Sequence, residues 1–317
     1  MTREEKHDVR RNLGRTHRFV FIYTLIFTLV TFAAMIIATA AEMGADGDIS
    51  LEKVQSLIMQ QSGLHSLVAL AIGVLFILAN RRSRLASDLE TGATGHMTLR
   101  VLASGVLLLF SFQLLFILVD PAIKWIASQL GYTLSTTTDS LSNMQPSLTM
   151  FLYTAFLGPI VEEIIFRGVV MKNLAKYGKL FAIVVSAALF GIFHGDISQG
   201  LFAFCCGLLL GYIAMEYGFK WAVVFHIINN FLISDMLARF VGLLPNTLQD
   251  PVHMVVTVGF GLLGILVLLK NRRAIAAYIA DNRTRQGVIP VLWTVPSFWL
   301  FLLMQLAVVS MSFTKIG

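Results

Sequence analysis

Long apolar runs separated by short polar connections make up most of this chain. The runs cover residues 19–41, 65–79, 99–119, 147–170, 180–194, 200–217, 219–244, 252–269 and 288–312. A helix needs about 20 apolar residues to cross the roughly 30 Å hydrocarbon core of a bilayer. Because the runs at 65–79 and 180–194 are short for a span, we predict about eight or nine transmembrane helices. The predicted fold class is an all-α, polytopic membrane protein.

The composition supports a membrane protein. Hydrophobic residues make up 56% of the 317 residues and charged residues only 13%, about half the charged share of a globular chain. The net charge of +6 fits loops that face an anionic leaflet, so we expect a lipid bilayer and no nucleic acid as partner. Cys205 and Cys206 are adjacent in an apolar run, which predicts core packing rather than a disulfide or metal site.

The distribution of basic residues predicts the orientation. Six lysines and arginines lie within residues 2–18, ahead of the first run, which we interpret as an uncleaved anchor. Taking this end as cytoplasmic places most other basic residues on the same side, as the positive-inside rule requires. They are Arg81, Arg82, Arg84, Arg100, Lys172, Lys176, Lys179, Lys220, Lys270, Arg272, Arg273, Arg283 and Arg285. The outer loops would hold Lys53, Lys124 and Lys315 with the acidic Glu42, Asp46, Asp48 and Glu52.

Ionisable residues inside spanning helices are costly, and the densest group lies in the fourth run. Glu163 and Arg167 are four residues apart, so they share a helix face and predict an ion pair. Glu162 points about 100° away, which leaves it free to accept a proton. Pro159 removes a backbone hydrogen bond one turn earlier and is expected to open the helix to water or substrate. A buried structural charge network is the alternative interpretation.

Further polar residues follow in two later runs. His194 ends the fifth run, after Phe190, and an interfacial histidine is the alternative there. His226 and Asn230 lie four residues apart on one helix face, a pattern that is also typical of hydrogen bonding between helices. Asp235 and Arg239 predict a structural pair without a role in cleavage.

Three motifs in separate hydrophobic segments carry a family resemblance. They are Glu162-Glu163-x-x-x-Arg167, Phe190-x-x-x-His194 and His226-x-x-x-Asn230, spread over roughly residues 150–235. In this order they resemble the CAAX protease and bacteriocin-processing (CPBP) family of intramembrane proteases, which includes the Ras-converting CAAX endoprotease. The resemblance implies a glutamate-dependent endopeptidase that cleaves membrane-associated peptides or proteins, with a cavity open toward the cytoplasmic side.

The resemblance also implies roles for these residues. Glu162 would act as general base on a water, helped by His194, and His226 and Asn230 would donate hydrogen bonds to the oxyanion. Glu163 and Arg167 would support the site. We expect no cofactor; a zinc ion held by Glu162, His194 and His226 is the alternative. A proton- or ion-coupled transporter and an immunity scaffold are the non-enzymatic alternatives.

We divide the chain into three parts on this basis. Residues 1–140 are predicted to form a cytoplasmic segment and three transmembrane helices, residues 141–245 the catalytic core, and residues 246–317 the last transmembrane helices. At about 1.5 Å per residue, Glu162 and Asn230 would lie roughly 15 Å from the basic end. His194 would lie roughly 22 Å away, which requires a tilted or late-starting fifth helix.

Overall fold

A computed structural model describes residues 1–42, 51–136, 139 and 147–316. Its helices are α1 (Arg3–Glu42), α2 (Leu51–Arg81), α3 (Leu85–Leu89), α4 (Leu99–Gln129), α5 (Leu148–Tyr177), α6 (Lys179–Phe193), α7 (Ile197–Tyr217), α8 (Phe219–Gly242), α9 (Asn246–Asp281), α10 (Val288–Leu292) and α11 (Pro296–Ser310). Two short strands, β1 (Tyr132–Leu134) and β2 (Phe313–Lys315), pair antiparallel. The predicted all-α, polytopic membrane protein is confirmed.

Each of the nine apolar runs lies mostly in helical structure. By length and composition, seven helices in the described residues can cross a membrane, and two further apolar helices, α6 and α11, have 15 residues each. The run at 288–312 differs from the prediction, because it is broken into α10 and α11. Pro296 disfavours helical backbone at the residue before it, and Val295 is accordingly extended.

The basic loops meet at one end of the molecule. Near the start of α1, Glu5 accepts a hydrogen bond of 2.7 Å from Arg285, which follows α9. Lys179, at the start of α6, donates to Glu216 near the end of α7 at 2.7 Å. The structure therefore groups the loops that charge alone assigned to one side. Which side of the membrane this is stays a prediction.

The opposite end is joined by the pairing of β1 with β2. Tyr132 lies opposite Lys315 in this pairing, and Leu134 lies opposite Phe313. The strands connect the end of α4 to the end of α11, so residues 181 positions apart meet. Among the acidic residues predicted for the outer loops, Asp46 and Asp48 lie outside the described residues.

The core is centred on α5, α6 and α7, where small residues let two helices approach closely. A side chain at Gly207 would begin 3.0 Å from the backbone of Ala187, and one at Gly211 would meet Ile183 at 3.1 Å. Small residues four positions apart are a common basis for helix packing in lipid, because they bring two backbones into contact. This packing places the end of α6 against the middle of α5.

Candidate active site

Two of the three helices that carry the motifs, α5 and α8, have irregular backbones. Within the described residues, the π-helical stretches are Tyr153–Leu157 and Ile164–Met171 in α5 and Ile228–Met236 in α8. Glu162 and Glu163 lie between the first two, and Asn230 lies in the third. Single π-helical turns are rare and occur frequently at functional sites, since they redirect side chains and free backbone groups.

Pro159 is the reason that one backbone carbonyl in α5 has no backbone N–H partner. Gly158 donates its backbone N–H to the carbonyl of Tyr153, five residues back. The same spacing would pair residue 159 with the carbonyl of Thr154, but proline has no N–H to donate. Asn230 Nδ2 donates to that carbonyl instead, at 2.9 Å. Pro159 therefore frees one carbonyl, as predicted, and a side chain from α8 satisfies it; the access of water or substrate stays a prediction.

Glu163 and Arg167 form the predicted ion pair. Arg167 Nε lies 3.1 Å from Glu163 Oε2, and both side chains are completely buried. No nitrogen of the guanidinium makes a well-directed hydrogen bond within the described part of the chain. Its central carbon lies 4.7 Å from the ring centroid of Phe190. The guanidinium is thus held by charge and by the face of an aromatic ring.

Glu163 has a second partner that the sequence did not reveal. Its Oε1 lies 2.9 Å from Nδ1 of His226, a residue 63 positions later. An ionised carboxylate only accepts hydrogen bonds, so beside Arg167 it takes the proton of Nδ1. The Nε2 atom of a neutral His226 then carries a lone pair. Glu163 therefore fixes both the orientation and the tautomer of His226.

Glu162 has a different environment from its neighbour. Its side chain is 15% exposed, whereas Glu163 is fully buried. Its carboxylate has no hydrogen-bond partner among the residues that the structure describes, and Oε2 lies 3.7 Å from His226 Nε2. The two carboxylates thus have separate surroundings, as their helical positions predicted. Glu162 is the one with an open acceptor.

His194 directly follows the last residue of α6 and shares an aromatic neighbour with His226. Its Nδ1–H donates to the carbonyl of Phe190 at 2.8 Å, which leaves Nε2 with a lone pair. The Phe190 ring contacts His194 edge-on at 4.8 Å and His226 at 5.6 Å between centroids. Glu162 and His226 lie close enough to His194 for their charges to affect its imidazole ring. All four predicted catalytic residues therefore belong to one cluster.

The structure explains part of the greater depth predicted for His194. The helix α6 begins at Lys179, so a late start is not the reason that His194 lies near its partners. Tyr23 of α1 contacts Phe193, the residue before His194, at 6.2 Å between ring centroids. The site therefore lies far along α6 from the basic end, where α1 also reaches it.

Two tyrosines beside Glu162 were missed. Tyr23 on α1 is 1% exposed, and Tyr153 lies in α5. Both hydroxyls are close enough to Glu162 for its negative charge to affect their ionisation. Phe27 of α1 stacks on Tyr153 at 6.2 Å between centroids. Nothing in the sequence near Tyr23 marks it, since an aromatic residue in an apolar run is ordinary. One wall of the site thus comes from outside residues 141–245.

The zinc alternative requires several donors directed at one point. In the described ranges, no group of three or more His, Cys, Asp or Glu side chains is arranged to hold a metal ion. His226 uses Nδ1 on Glu163, and its Nε2 is the atom that faces Glu162. A histidine that donates Nδ1–H to a carboxylate and leaves Nε2 free is also typical of zinc ligation, so zinc held by Glu162, His194 and His226 stays the alternative, and the proposed reaction does not use it.

Apart from Cys206, which lies near Glu163 and Arg167, the remaining predicted residues lie outside the cluster. Asp235 and Arg239 form the expected pair, at 2.7 Å, and are partly exposed. Cys206 is buried in the core and Cys205 is half-buried. His253 is half-buried near the start of α9. None of these residues contacts the carboxylates or histidines of the site in a way that changes their assigned roles.

Comparison with known proteins gives two matches. The sequence model of the type II CAAX prenyl endopeptidase Rce1-like family matches residues 144–232, which contain all three motifs. The "Putative membrane peptidase YdiL" of Bacillus subtilis (strain 168) is 25% identical over 173 residues, covering 54% of this chain and 69% of that protein. No solved structure matches. The resemblance to the CPBP family is confirmed, and both matches favour a membrane protease over a transporter or an immunity scaffold.

Proposed function

We propose that this protein, which resembles the CPBP family, is an intramembrane endopeptidase that hydrolyses peptide bonds with Glu162 as general base. The observation that carries this proposal is the contrast between two adjacent glutamates. Glu163 is buried and paired with Arg167 and His226, while Glu162 is partly exposed with an open carboxylate. A base needs a free lone pair, and Glu162 is the carboxylate that offers one.

The position of the reacting water follows from the facing atoms. Glu162 Oε2 and His226 Nε2 are 3.7 Å apart, too far for a direct hydrogen bond but close enough for one water to bond to both. The two hydrogens of this water would bond to Glu162 and to the Nε2 lone pair of His194, and Nε2–H of His226 would donate to the water when that ring is protonated. In the proposed step, the water attacks the peptide carbonyl and gives its proton to Glu162. Glu162 then returns this proton to the leaving amine.

The oxyanion formed by attack on the peptide carbonyl needs hydrogen-bond donors. The contacts that Asn230 and His226 already make limit which of their N–H groups can serve. Asn230 uses one N–H on the Thr154 carbonyl, so its second N–H is the donor available to substrate. His226 has its Nδ1 proton on Glu163, so Nε2 donates only when the ring is protonated. The buried Glu163 holds the ring so that Nε2 faces the site, as an orienting carboxylate does for a catalytic histidine.

Substrates of this enzyme would be peptide segments at or within the membrane. The site lies among membrane-spanning helices, and the name of the matching family refers to CAAX prenyl substrates. We propose the broader class, a membrane-associated peptide or protein. We also retain a cytoplasmic N-terminus and a cavity open toward the cytoplasm as proposals that rest on loop charge. The proposed catalytic core is residues 141–245, supplemented by α1.

The test compares Glu162→Gln with a matched control, Asp235→Asn. Both changes remove one carboxylate charge, and Asp235 lies on α8 outside the cluster, where it pairs with Arg239. Membrane proteomes of cells with each variant are compared for accumulated uncleaved precursors. We expect Glu162→Gln to lower cleavage by about 10²–10⁴-fold and Asp235→Asn to leave it unchanged.

Both variants should insert and accumulate like the wild type, which is checked by quantifying the protein in membranes. If cleavage by Glu162→Gln stays within about threefold of wild type, far from the loss expected for a general base, the assignment is wrong. If Asp235→Asn loses as much activity as Glu162→Gln, the effect is a general response to charge removal.

A further inference from the structure

A groove between α1 and α11 opens at the basic end of the molecule, away from the candidate active site. Its cavity volume is about 570 Å³. On the α1 side it is lined by Arg10, Arg11 and Arg18, followed further along the helix by Phe21 and Ile22. These positions recur every three or four residues, so they form one continuous helix face. The groove is therefore basic at its outer part and apolar at its inner part.

The opposite wall is the helix break before α11. Val295, Pro296 and Leu300 line it, and Ser297 donates a hydrogen bond to the carbonyl of Gly14 at 3.2 Å. Gly14 has no side chain, so the two walls stay close at this point while the space beside it remains open. The groove is thus a fixed feature of two packed segments.

Two tryptophans mark the level of the membrane surface at this groove. Trp293 is 52% exposed and Trp299 is 44% exposed, and Trp299 donates its indole N–H to the Trp293 carbonyl at 2.8 Å. Exposed tryptophans concentrate where hydrocarbon meets headgroups. Arg18 lies three residues before Phe21, about 4.5 Å along the helix. That distance is comparable with the roughly 5–7 Å of one interfacial layer.

The arginines of the groove carry uncompensated charge. In the described residues, no acidic side chain pairs with Arg10 or Arg18, and Arg18 Nε donates only to the Gly14 carbonyl at 3.3 Å. Arg11 contacts Asp8 at 2.9 Å, but both side chains are more than half exposed, so the pair is weak. An anionic group at this position would meet several guanidinium groups at once.

We propose that this groove binds one anionic phospholipid from the leaflet at the basic end. Its phosphate would lie against Arg10, Arg11 and Arg18, because guanidinium groups match phosphate geometry. Its acyl chains would run along Phe21 and Leu300, which lie at hydrocarbon depth. Basic pockets between transmembrane helices bind acidic headgroups by this combination of charge and apolar contact.

The test measures lipid binding to the purified full-length protein in a neutral detergent. Native mass spectrometry follows the titration with phosphatidylglycerol, with phosphatidylcholine as the uncharged comparison. We expect selective retention of a single phosphatidylglycerol. The variant Arg10→Gln/Arg11→Gln/Arg18→Gln should weaken its binding by about tenfold or more, because each arginine near the headgroup contributes to the attraction.

The matched control is Lys270→Gln/Arg272→Gln/Arg273→Gln, which removes the same charge from exposed positions on α9. Its lipid binding should stay unchanged. Gly14→Leu keeps all charges and fills the groove, so it should also weaken binding, and it decides the question if the arginine variant does not fold. Equal loss in both triple variants would show general attraction only. Full binding by the arginine variant or by Gly14→Leu, or displacement of the lipid by inorganic phosphate, would overturn the proposal.

Discussion

The helices α5 and α8 differ sharply from α4 and α9, although all four are long enough to span a membrane. The 36 residues of α9 pack along the 31 residues of α4, and both stay α-helical throughout although each contains an internal proline. Their contact uses small groups: Ser111 donates to the carbonyl of Gly261 at 2.8 Å. In contrast, α5 and α8 contain the π-helical stretches and join through ion pairs and amide hydrogen bonds.

This difference shows how a membrane protein holds polar chemistry in an apolar medium. Regular helices satisfy their own backbone groups and need only close packing. Irregular backbone leaves carbonyls open, and these must be satisfied by side chains from neighbouring helices. In α5 and α8 the same side chains that do so lie beside Glu162. Structure and proposed chemistry therefore depend on shared residues there, while α4 and α9 meet by close packing.

The largest effect should come from Arg167→Ala. Removing the guanidinium leaves Glu163 as an uncompensated buried charge, which costs roughly 3–5 kcal/mol of folding free energy. The variant should therefore lose folded protein as well as activity. The measurement is the thermal midpoint in detergent. Arg239→Ala is the control: it breaks an i,i+4 pair that is partly exposed, so it should cost at most about 1 kcal/mol. An unchanged midpoint for Arg167→Ala would refute the assigned role.

Asn230→Ala should have the next largest effect. Two separate losses, one in turnover and one in stability, should contribute to it. Losing an oxyanion donor lowers turnover by about a hundredfold to a thousandfold, with little change in substrate binding. Losing the bond to Thr154 leaves an unpaired carbonyl, which costs about 1–3 kcal/mol of stability. Turnover, KM and the thermal midpoint are measured together.

A second substitution distinguishes these two parts. Pro159→Ala restores a backbone N–H at the position from which a π-type bond reaches the Thr154 carbonyl. In the Asn230→Ala background it should recover stability but not turnover. Recovery of both would mean that Asn230 acts only as a support for α5, and recovery of neither would show that Pro159 does not create the open carbonyl.

The smallest effect is expected from Ser111→Ala between α4 and α9. It removes one hydrogen bond to a backbone carbonyl, worth about 1 kcal/mol. The thermal midpoint should fall slightly and cleavage should stay at the wild-type level. A clear loss of turnover would show that the two regions are coupled more strongly than the comparison implies.

Local spacing predicted much of the candidate site. The pairs Glu163–Arg167 and Asp235–Arg239 lie at 3.1 and 2.7 Å, as their separation by four residues indicated. Helical periodicity fixes such neighbours wherever the helix lies. The separate surroundings of Glu162 followed from the same geometry. The disruption at Pro159 also followed, because the missing N–H is a property of the residue itself.

Contacts between helices could not be predicted in this way. Glu163 meets His226 across 63 residues and Asn230 meets Thr154 across 76. Tyr23 lies beside the site although no nearby motif marks it. The distance between two helices depends on their packing and rotation, which a hydropathy pattern does not specify. The pairing of β1 with β2 was missed for the same reason.

The sequence by itself determined the membrane-spanning class, the approximate positions of the helices and the residues that carry the family motifs. These depend on apolar length, charge and helical period, which are local properties of the chain. Only the tertiary structure decided that Glu163 orients His226, that Asn230 satisfies the carbonyl freed by Pro159, and that α1 closes the site. The physical reason is that hydrogen bonds act over about 3 Å, so their partners are fixed only when the helices are packed.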